Sequence, residues 1–359
     1  MTGGICFIWG TRPEAIKVAP VMAELLKLGI EPLSVCSGQH SDLLDGMPME
    51  ADVVSSYSLG IGTSDVPVLY GKLRKTIENL APDIVVVQGD TNTGFAAATA
   101  AKDCAKKSGR PLLAHLEAGI RSGDEKEPWP EERNRRQIDK LADILYAPTQ
   151  TAACNLTAEG IAIEDILVSG NTVVSALHRY SPPIKVIDPA NIVLVTLHRR
   201  EIQTPTAALR LYDLVKKAAI ATAFDGPQLR WPMHPGFRKC LGKLGAGDLY
   251  QGLKLLKPLG YVEFTSMLMW SKGVITDSGG VVEEAATLGV PTAILRRVND
   301  RPEAVTAGIA KVFPPEDDNC VERAMEWLLT AKRGPRPCFG GPKAAEIVAR
   351  DLVKRLKGH

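Results

Sequence analysis

The sequence predicts an α/β protein that contains two doubly wound parallel sheets. Short, continuous apolar runs recur along the chain, and most of them end at a polar or glycine-containing turn that leads into a helical apolar pattern. Continuous apolar runs are typical of strands buried on both faces, and their alternation with helices is typical of βαβ units. The 359 residues also exceed what one hydrophobic core usually holds, so we expect two domains.

The charge is nearly balanced, with 43 Lys and Arg against 41 Asp and Glu, and the basic residues are dispersed. This argues against a nucleic-acid-binding face and against attachment to an anionic membrane. The seven cysteines are widely spaced and include no Cys-x-x-Cys pair, as expected for reduced thiols. No apolar span is long enough for a bilayer, and no signal peptide is apparent. The sequence therefore predicts a cytoplasmic protein.

The first predicted strand covers residues 5–9 and stops at a polar turn that opens a helix. Thr11 and Glu14 have the spacing of a capping box, and Pro20 is expected to kink or restart the helix. Arg12 at the helix start has a planar guanidinium suited to a phosphate. A surface arginine at a helix cap is an equally good interpretation of Arg12.

Two acidic residues follow later strands of this first half. Asp90 comes after an apolar run at 84–88, and Glu117 comes after the run at 112–116. Ligands of open parallel sheets bind beyond the carboxyl ends of the strands, so these carboxylates are candidate site residues. Taken alone, Asp90 is more readily explained as a helix cap. Further strands are predicted at 32–36, 144–147 and 166–169, with helices at 67–80, after 92, from 131 and from 149.

The helix that begins at Glu131 places Arg135 four residues later on the same face. An ordinary ion pair on a solvated helix explains this spacing. The alternative is a carboxylate held by its arginine at a ligand site. Both interpretations remain open from the residues alone.

A proline-rich segment at 181–189 is the best linker candidate, and a second run of βα units follows it. His198 comes directly after the strand 192–196, where it is either a hydrogen-bonded structural residue or part of an anion site. Phe264, on a helix at 261–270, either belongs to the core or stacks on a base. Other strands are predicted at 229–233, 273–276 and 292–295, with helices at 205–223, after 235, after 281, at 321–329 and at 344–356.

The turn Ser278-Gly279-Gly280 lies between the strand 273–276 and a helix. Glycines allow close approach of the backbone, and the free N–H groups of a helix start attract a phosphate. Most such turns only connect a strand to a helix, but here acidic residues follow one turn later and Arg301 lies beyond the next strand. Zinc, Walker and nucleophile-elbow motifs are missing from the sequence. A cleft between two such domains would suit a nucleotide-linked substrate.

Together, eight motifs resemble the non-hydrolysing UDP-N-acetylglucosamine 2-epimerases, in the family's order across nearly the whole chain. They are Gly10-Thr11-Arg12-Pro13-Glu14, Gly89-Asp90-Thr91, His115-Leu116-Glu117-Ala118-Gly119-Ile120-Arg121, Pro128-Trp129-Pro130-Glu131-Glu132, Gly170-Asn171-Thr172, His198-Arg199-Arg200-Glu201, Asp277-Ser278-Gly279-Gly280 with Glu283-Glu284, and Arg301-Pro302-Glu303.

The resemblance implies a glycosyltransferase-B architecture of two Rossmann-like domains that face a cleft. The N-terminal domain would cover 1–175, joined by the C-terminal helix 343–359, and a UDP-binding domain would cover 176–342. The implied activity interconverts UDP-N-acetylglucosamine and UDP-N-acetylmannosamine, without metal or cofactor, in a homodimer. UDP would leave from C1 as a base removes the C2 proton, and it would add back after reprotonation on the other face.

The resemblance also implies roles for individual residues. The acid/base candidates are Asp90, Glu117 and Glu131, with Arg135 orienting Glu131 and His198 beside the diphosphate. The implied substrate-binding residues are Arg12, Lys17, Ser278, Gly279, Gly280 and Arg301, with Glu284 on the ribose and Phe264 near the uracil.

The chain departs from the family pattern at two loops. Gln39-His40 is followed by Ser41-Asp42, and the loop near Asp65 lacks the family's usual glutamine, where a second substrate molecule activates bacterial members. A carboxylate there would repel phosphates, so we expect weak or absent allosteric activation. The loop at 296–300 also differs, which leaves the sugar substituents open.

Three other functions remain compatible with the sequence. A hydrolysing relative would release N-acetylmannosamine and UDP, because the same site serves if water attacks the intermediate. A glycosyltransferase of this architecture would need an acceptor groove and would not require three carboxylates. A non-catalytic sugar-nucleotide sensor is disfavoured because the acid/base positions are all present.

Overall fold

The computed structural model describes residues 4–38, 48–49, 52–53, 57–183, 189–197, 204–241 and 252–358. The chain divides into two compact units. The first comprises Met1–Tyr180 and Phe339–His359, and the second comprises Ser181–Cys338. Each unit is described here by itself.

The described strands of the first unit form a seven-stranded sheet in which every pair of neighbours is parallel. The strands are β1 (Ile5–Trp9), β2 (Leu33–Cys36), β3 (Tyr57–Ser58), β4 (Ile84–Gln88), β5 (Leu112–Leu116), β6 (Ile144–Ala147) and β7 (Ile166–Val168). Their order is β3-β2-β1-β4-β5-β6-β7. The helices between them are α1 (Arg12–Lys27), α2 (Val66–Leu80), α3 (Asn92–Ser108), α4 (Glu131–Leu141), α5 (Gln150–Ala158) and α6 (Thr172–Tyr180).

The core of this unit lies where α2 and α3 cover the sheet. Strand residues such as Val85 and Val87 are fully buried there, and α2 contributes Leu69 and Leu73. The facing side of α3 consists largely of alanines, which let the helix lie close to the strands. Continuous apolar strands buried on both faces therefore explain why the parallel sheet forms.

The described strands of the second unit form a six-stranded sheet, again with parallel neighbours throughout. They are β8 (Ala190–Thr196), β9 (Gln228–Pro232), β10 (Leu253–Leu256), β11 (Ser271–Thr276), β12 (Thr292–Ile294) and β13 (Ala310–Val312), in the order β10-β9-β8-β11-β12-β13. The helices are α7 (Pro205–Ala221), α8 (Pro235–Leu241), α9 (Tyr261–Trp270), α10 (Gly279–Leu288), α11 (Pro302–Thr306) and α12 (Cys320–Thr330).

Trp231 anchors the core of the second unit. It is fully buried, and its ring centroid lies 5.0 Å from that of Phe237 and 6.5 Å from that of Tyr212. The chain then returns to the first unit, where α13 (Ala344–Lys357) packs against α1 and α6. The fold class predicted from the sequence, two Rossmann-like doubly wound α/β domains, is confirmed. None of the helices in the described ranges is both long and apolar enough to cross a membrane.

The start of α1 differs from the sequence prediction. Thr11 is the N-cap residue, but among the described contacts its side chain makes no cap bond to the helix. Its hydroxyl instead donates to Glu14 Oε2 at 2.7 Å. Of the two outcomes expected at Pro20, a restart is wrong, because α1 continues through this residue to Lys27, and a kink stays a prediction.

Candidate active site

Both sheets reverse their strand order at one point, between β1 and β4 in the first unit and between β8 and β11 in the second. In doubly wound sheets the crevice beyond the strand ends at this reversal is the usual ligand site. A ligand site is therefore expected at the residues that follow these strands and at those that follow the adjacent β5.

Glu117 directly follows β5 and has a φ of 71°, in the left-handed region that non-glycine residues rarely adopt. Lys17, buried on α1, forms an ion pair with its Oε2 atom. Gln88, the last residue of β4, donates to the same oxygen at 2.8 Å. Strained backbone at a fixed carboxylate is typical of functional sites. The structure thus brings Lys17 and Glu117 together.

Asp90 lies in the turn after the neighbouring strand β4. Arg135 on α4 donates to Asp90 Oδ2 from Nε at 3.1 Å and also from Nη2. The arginine side chain is 4% exposed whereas that of Asp90 is 27% exposed, so the carboxylate is held from the protein side and stays accessible. Glu131 is the first residue of α4 and is half-buried. Its partnership with Arg135 stays a prediction.

Glu14 is a buried carboxylate that sequence reasoning treated only as part of a cap. Its Oε2 accepts from the Gly10 N–H at 3.0 Å and from Thr11, and its Oε1 accepts from the Thr91 hydroxyl at 2.7 Å. It therefore joins the turn after β1, which carries Arg12, to the turn after β4. Burial raises the pKa of Glu14 to about 7, although these hydrogen bonds oppose the shift.

Three further buried charged residues near these turns were also missed. Glu132 is 0% exposed and accepts from the Ser122 N–H at 3.0 Å. His115 and Asp139 are completely buried and in contact, with 2.6 Å between Nδ1 and Oδ1. Two signals were available for His115, its position as a polar residue inside an otherwise apolar strand and its place in the motif that contains Glu117, but neither indicated its contact with Asp139. The partners of Glu132 and Asp139 come from tertiary packing, which no local pattern predicts.

The turn between β11 and α10 carries Ser278 at the N-cap position. The Ser278 N–H donates to Thr276 Oγ1 at 3.0 Å, and Thr276 Oγ1 lies 2.7 Å from Thr196 Oγ1 at the end of β8. The two strand ends at the reversal point are thereby tied together. The start of α10 presents backbone N–H groups and the positive dipole end, a suitable arrangement for an anion.

Arg301 lies beside this helix start. A Cβ added to Gly279 would sit 3.2 Å from the Arg301 guanidinium carbon, so a larger residue there would press on the guanidinium. The arginine is 5% exposed and pairs with Glu283 and with Asp300 Oδ2, the latter at 3.3 Å. Carboxylates on its inner side hold the guanidinium against the turn. The structure thus brings Gly279 and Arg301 together.

The other predicted site residues of the second unit are distributed around this turn. Glu284 is 6% exposed on α10, and Phe264 is half-buried on α9, which contacts α10. Gly280 is the second residue of α10. His198 lies outside the described residues. No group of three His, Cys, Asp or Glu residues suited to a metal ion occurs in the described part of the chain.

Comparison with known proteins assigns the chain to a family. A family model described as UDP-N-acetylglucosamine 2-epimerase matches residues 27–353. The chain is 33% identical over 378 residues to the UDP-N-acetylglucosamine 2-epimerase of Neisseria meningitidis serogroup A, covering 97% of this chain and 98% of the relative. This chain belongs to the UDP-N-acetylglucosamine 2-epimerase family. Arg12 and Lys17 precede the residues that the family model matches.

Solved structures of the epimerase family agree with this assignment. The chain is similar to the UDP-GlcNAc 2-epimerase of Neisseria meningitidis bound to UDP-GlcNAc, with a TM-score of 0.83 and 30% identity over 98% of this chain and 100% of that one. It is also similar to the Methanocaldococcus jannaschii UDP-GlcNAc 2-epimerase in complex with UDP-GlcNAc and UDP, with a TM-score of 0.84 and 30% identity over 98% and 99% of the two chains.

Proposed function

We propose that this protein interconverts UDP-N-acetylglucosamine and UDP-N-acetylmannosamine by elimination and re-addition of UDP. The observation that carries the proposal is a pair of carboxylates, Asp90 and Glu117, that follow adjacent strands, each with its own buried cation, in a chain of this family. The solved relatives described as binding UDP-GlcNAc support the substrate.

The C2–H bond of the sugar has no neighbouring carbonyl and is a poor acid. A base therefore has to remove the proton while the C1–O bond breaks. The C–H electron pair then forms a C1=C2 double bond, and UDP departs with the electrons of the C1–O bond. In the second half, a proton is delivered to C2 from the opposite face and a UDP oxygen attacks C1. The net change is inversion at C2 with no redox step.

This reaction needs positioned acids and bases, which contribute about 10²–10⁴-fold each in typical enzymes. We assign these roles to Asp90, Glu117 and Glu131. The two hydrogen bonds from Arg135 to Oδ2 orient Asp90, and the ion pair from Lys17 orients Glu117. Three carboxylates permit one group to accept the proton and another to deliver it from the opposite face.

The departing diphosphate needs donors and positive charge. We assign this role to the start of α10 at Ser278, Gly279 and Gly280, with Arg301 beside it, and to Arg12 and His198. Glu284 is assigned to the ribose hydroxyls, and Phe264 to the uracil. The open helix start and the guanidinium beside Gly279 support this assignment.

The deciding experiment incubates the protein with UDP-N-acetylglucosamine in heavy water and follows the sugar by NMR. Deuterium at C2 in sugars that still carry UDP is the expected result. Free N-acetylmannosamine would instead identify the hydrolysing reaction, in which water attacks the intermediate. No exchange at C2 would exclude both and leave a glycosyltransferase or a sugar-nucleotide sensor.

A homodimer, which rests on the family resemblance, and a cytoplasmic location, which rests on the cysteine pattern and the composition, belong to the same proposal. Light scattering of the purified protein measures the first directly, and a mass of one chain would contradict it.

A further inference from the structure

His115 and Asp139 connect the two turns that carry the proposed acid/base carboxylates. His115 is the fourth residue of β5, and its Nε2 atom lies 2.8 Å from the carbonyl oxygen of Gly89. Asp139 Oδ2 accepts from the Gly119 N–H at 3.1 Å. Gly89 directly precedes Asp90, and Gly119 is two residues after Glu117. One buried pair of side chains therefore contacts the backbone of both turns.

The hydrogen bonds determine where the protons of this pair reside. The Gly89 carbonyl oxygen only accepts, so His115 Nε2 carries a hydrogen. Asp139 Oδ2 already accepts from Gly119 and from Arg121 Nη2 at 2.8 Å, which favours the ionised carboxylate, so His115 Nδ1 donates as well. Burial opposes ionisation of Asp139, but the charges and hydrogen bonds of His115 and Arg121 outweigh it and hold the pKa of Asp139 below its usual value. Asp139 thus accepts from three directions, from His115, Arg121 and the Gly119 N–H.

The backbone at Glu117 needs this support. Gly89 has a φ of 67°, Glu117 a φ of 71° and Gly119 a φ of 81°. For Glu117 this conformation costs about 1–2 kcal/mol relative to the right-handed region and persists only if the surroundings enforce it. One hydrogen bond holds Gly89, just before Asp90, and the other holds Gly119, two residues after Glu117. Together they supply that enforcement.

The same pair is one end of a longer series of contacts that returns to Asp90. Arg135 bonds Asp90 and lies 3.2 Å from Glu132 Oε2. Arg136 contacts Glu132 Oε1 at 3.2 Å and Glu159 Oε1 at 3.0 Å. Acidic and basic residues alternate at every step.

The series then continues from Glu159 to Arg121, which donates to both carboxylate oxygens at 2.8 Å. Arg121 contacts Asp139, Asp139 contacts His115, and His115 reaches Gly89, the neighbour of Asp90. We call this closed set of contacts the charge ring. It holds the side chain of Asp90 at one end and the backbone beside it at the other.

Stability alone is a weak explanation for such a ring. Burying ion pairs usually costs about as much desolvation free energy as the Coulomb attraction returns, and apolar residues of similar volume often do as well. A function in positioning the turns explains why His115 and Asp139 contact the backbone beside each of the two carboxylates, at Gly89 and at Gly119.

We propose that His115 and Asp139 are positioning residues that set the backbone of the two turns bearing Asp90 and Glu117 for proton transfer at C2. The inference rests on the proposed epimerase function for its catalytic consequence. It goes beyond that function by assigning a role to two residues that touch neither the substrate nor the reacting atoms.

The test uses four variants of the full-length protein. His115→Asn keeps an amide near the Nδ1 position and loses the contact with Gly89, whereas His115→Gln does the reverse. Asp139→Asn removes the charge that faces His115 and Arg121. Asp143→Asn is the matched control, because Asp143 also accepts a backbone N–H of β5, from Leu113 at 2.8 Å, and pairs with a cation, Lys102, at the opposite end of that strand.

Three measurements are made on each variant: kcat for deuterium incorporation at C2, the Kd for UDP, and amide hydrogen exchange in peptides that cover 86–95 and 116–123. In His115→Asn and Asp139→Asn we expect kcat to fall by about 10- to 100-fold with the Kd for UDP within about two-fold, since displaced catalytic groups lose rate rather than ligand affinity. Amide exchange in both peptides should become faster. Asp143→Asn should keep kcat within about two-fold of wild type, even if it lowers the melting temperature as much as His115→Asn and Asp139→Asn do.

The outcomes separate this inference from the proposed function. If the wild-type protein incorporates deuterium but His115→Asn and Asp139→Asn lose no more kcat than Asp143→Asn, the positioning role is wrong and the epimerase function stands. If the wild-type protein shows no exchange at C2, the proposed function fails. The amide exchange rates alone then test the positioning role. Rates in both peptides that are the same in the His115 and Asp139 variants as in wild type would overturn it.

Discussion

Glu14 makes the stability of the protein depend on pH through a single buried carboxyl group. Its folded-state pKa of about 7 lies above the ordinary 4.5, so the folded protein binds this proton more tightly than the unfolded chain does. The stabilisation is complete below about pH 4.5 and is lost as the pH rises through about 7.

We predict that Glu14→Gln flattens the pH dependence of the unfolding free energy between pH 4.5 and 7. An amide cannot ionise, and its NH₂ group can donate to Thr91, whose hydroxyl can turn to accept. Relative to wild type, the variant should gain up to about 3 kcal/mol between pH 4.5 and 8. Urea unfolding across this range measures the effect.

The matched control is Glu78→Gln on α2, a carboxylate whose side chain is 45% exposed. It should keep the wild-type profile. A Glu14→Gln profile parallel to that of wild type would show that Glu14 does not titrate in this window.

Asp90 and Asp83 lie at opposite ends of β4, which gives the catalytic assignment a paired test. Asp90→Asn keeps the side-chain shape and an acceptor for Arg135 but removes the basic carboxylate. We predict at least about a 100-fold loss of kcat with UDP binding retained. Calorimetric titration with UDP and the NMR exchange assay measure the two quantities.

Asp83→Asn supplies the comparison. Asp83 accepts from the Gly4 N–H at 2.7 Å and pairs with Arg110. Its replacement should lower the melting temperature and leave kcat within about two-fold. Equal losses of kcat in both variants would mean that Asp90 acts through folding alone.

At the scale of elements, the contact between the turn after β5 and α5 depends on one glycine. A Cβ on Gly119 would lie 2.2 Å from the Ala152 carbonyl oxygen, whereas a Cβ on Gly123 would meet no described atom within 4 Å. Both glycines have a φ of 81°. The two positions thus separate backbone strain from steric overlap.

Gly123→Ala is predicted to cost about 1–2 kcal/mol from the left-handed conformation. Gly119→Ala carries the same strain and must also displace α5, so a cost of about 3 kcal/mol or more is expected. Denaturant unfolding measures both. Equal costs would show that α5 moves away without penalty.

The start of α10 allows a second element-scale prediction. Ser278→Leu should raise the Kd for UDP by about tenfold or more, because the bulk occupies the proposed diphosphate site. Helix stability should change little, since in the described contacts the Ser278 side chain makes no cap bond.

Thr204→Leu, at the start of α7, should have the opposite effect, on stability and not on UDP binding. Thr204 caps the Ala207 N–H at 3.3 Å, so its loss should cost about 1 kcal/mol of stability with UDP affinity unchanged. Isothermal titration with UDP and thermal melts compare the pair. An unchanged Kd in Ser278→Leu would exclude this helix start as the diphosphate site.

Central strands were predictable from sequence, whereas of the four edge strands only β7, predicted at 166–169, was recovered. The strands β1, β4 and β5 are continuous apolar runs and were predicted with the bounds that the structure has. The edge strands β3, β10 and β13 have only two to four residues with exposed positions, so no apolar run marks them. The helix starts at Pro205 and Pro235 were predicted, whereas the short helix α11, which begins at Pro302, was missed.

The candidate site was predictable in location but not in its contacts. A carboxylate after a buried strand is visible in sequence, as Asp90 and Glu117 show. Lys17 contacts Glu117 across 100 residues of sequence, and Asp139 meets His115 across 24. Such pairs depend on strand order and helix rotation, which local periodicity does not contain.

At the scale of the whole molecule, the kinetics test whether a second substrate molecule activates the enzyme. Asp65, one of the residues that led us to expect weak activation, caps α2 by accepting from the Val68 N–H at 3.1 Å. The segment 39–42 lies outside the described residues. We predict a hyperbolic dependence of rate on UDP-N-acetylglucosamine. A sigmoidal curve that Gln39→Ala makes hyperbolic would contradict this.

The charge ring also constrains how this protein can be altered by mutation. Because the buried Asp139 contacts both His115 and Arg121, replacing it alone breaks a buried pair, which costs about 3–5 kcal/mol, whereas removal of His115 and Asp139 together costs less. Substitutions at His115 and Asp139 should therefore be tolerated in pairs. In a randomised library selected for folding alone, apolar combinations at the two positions should be recovered together, and selection for turnover should then eliminate them.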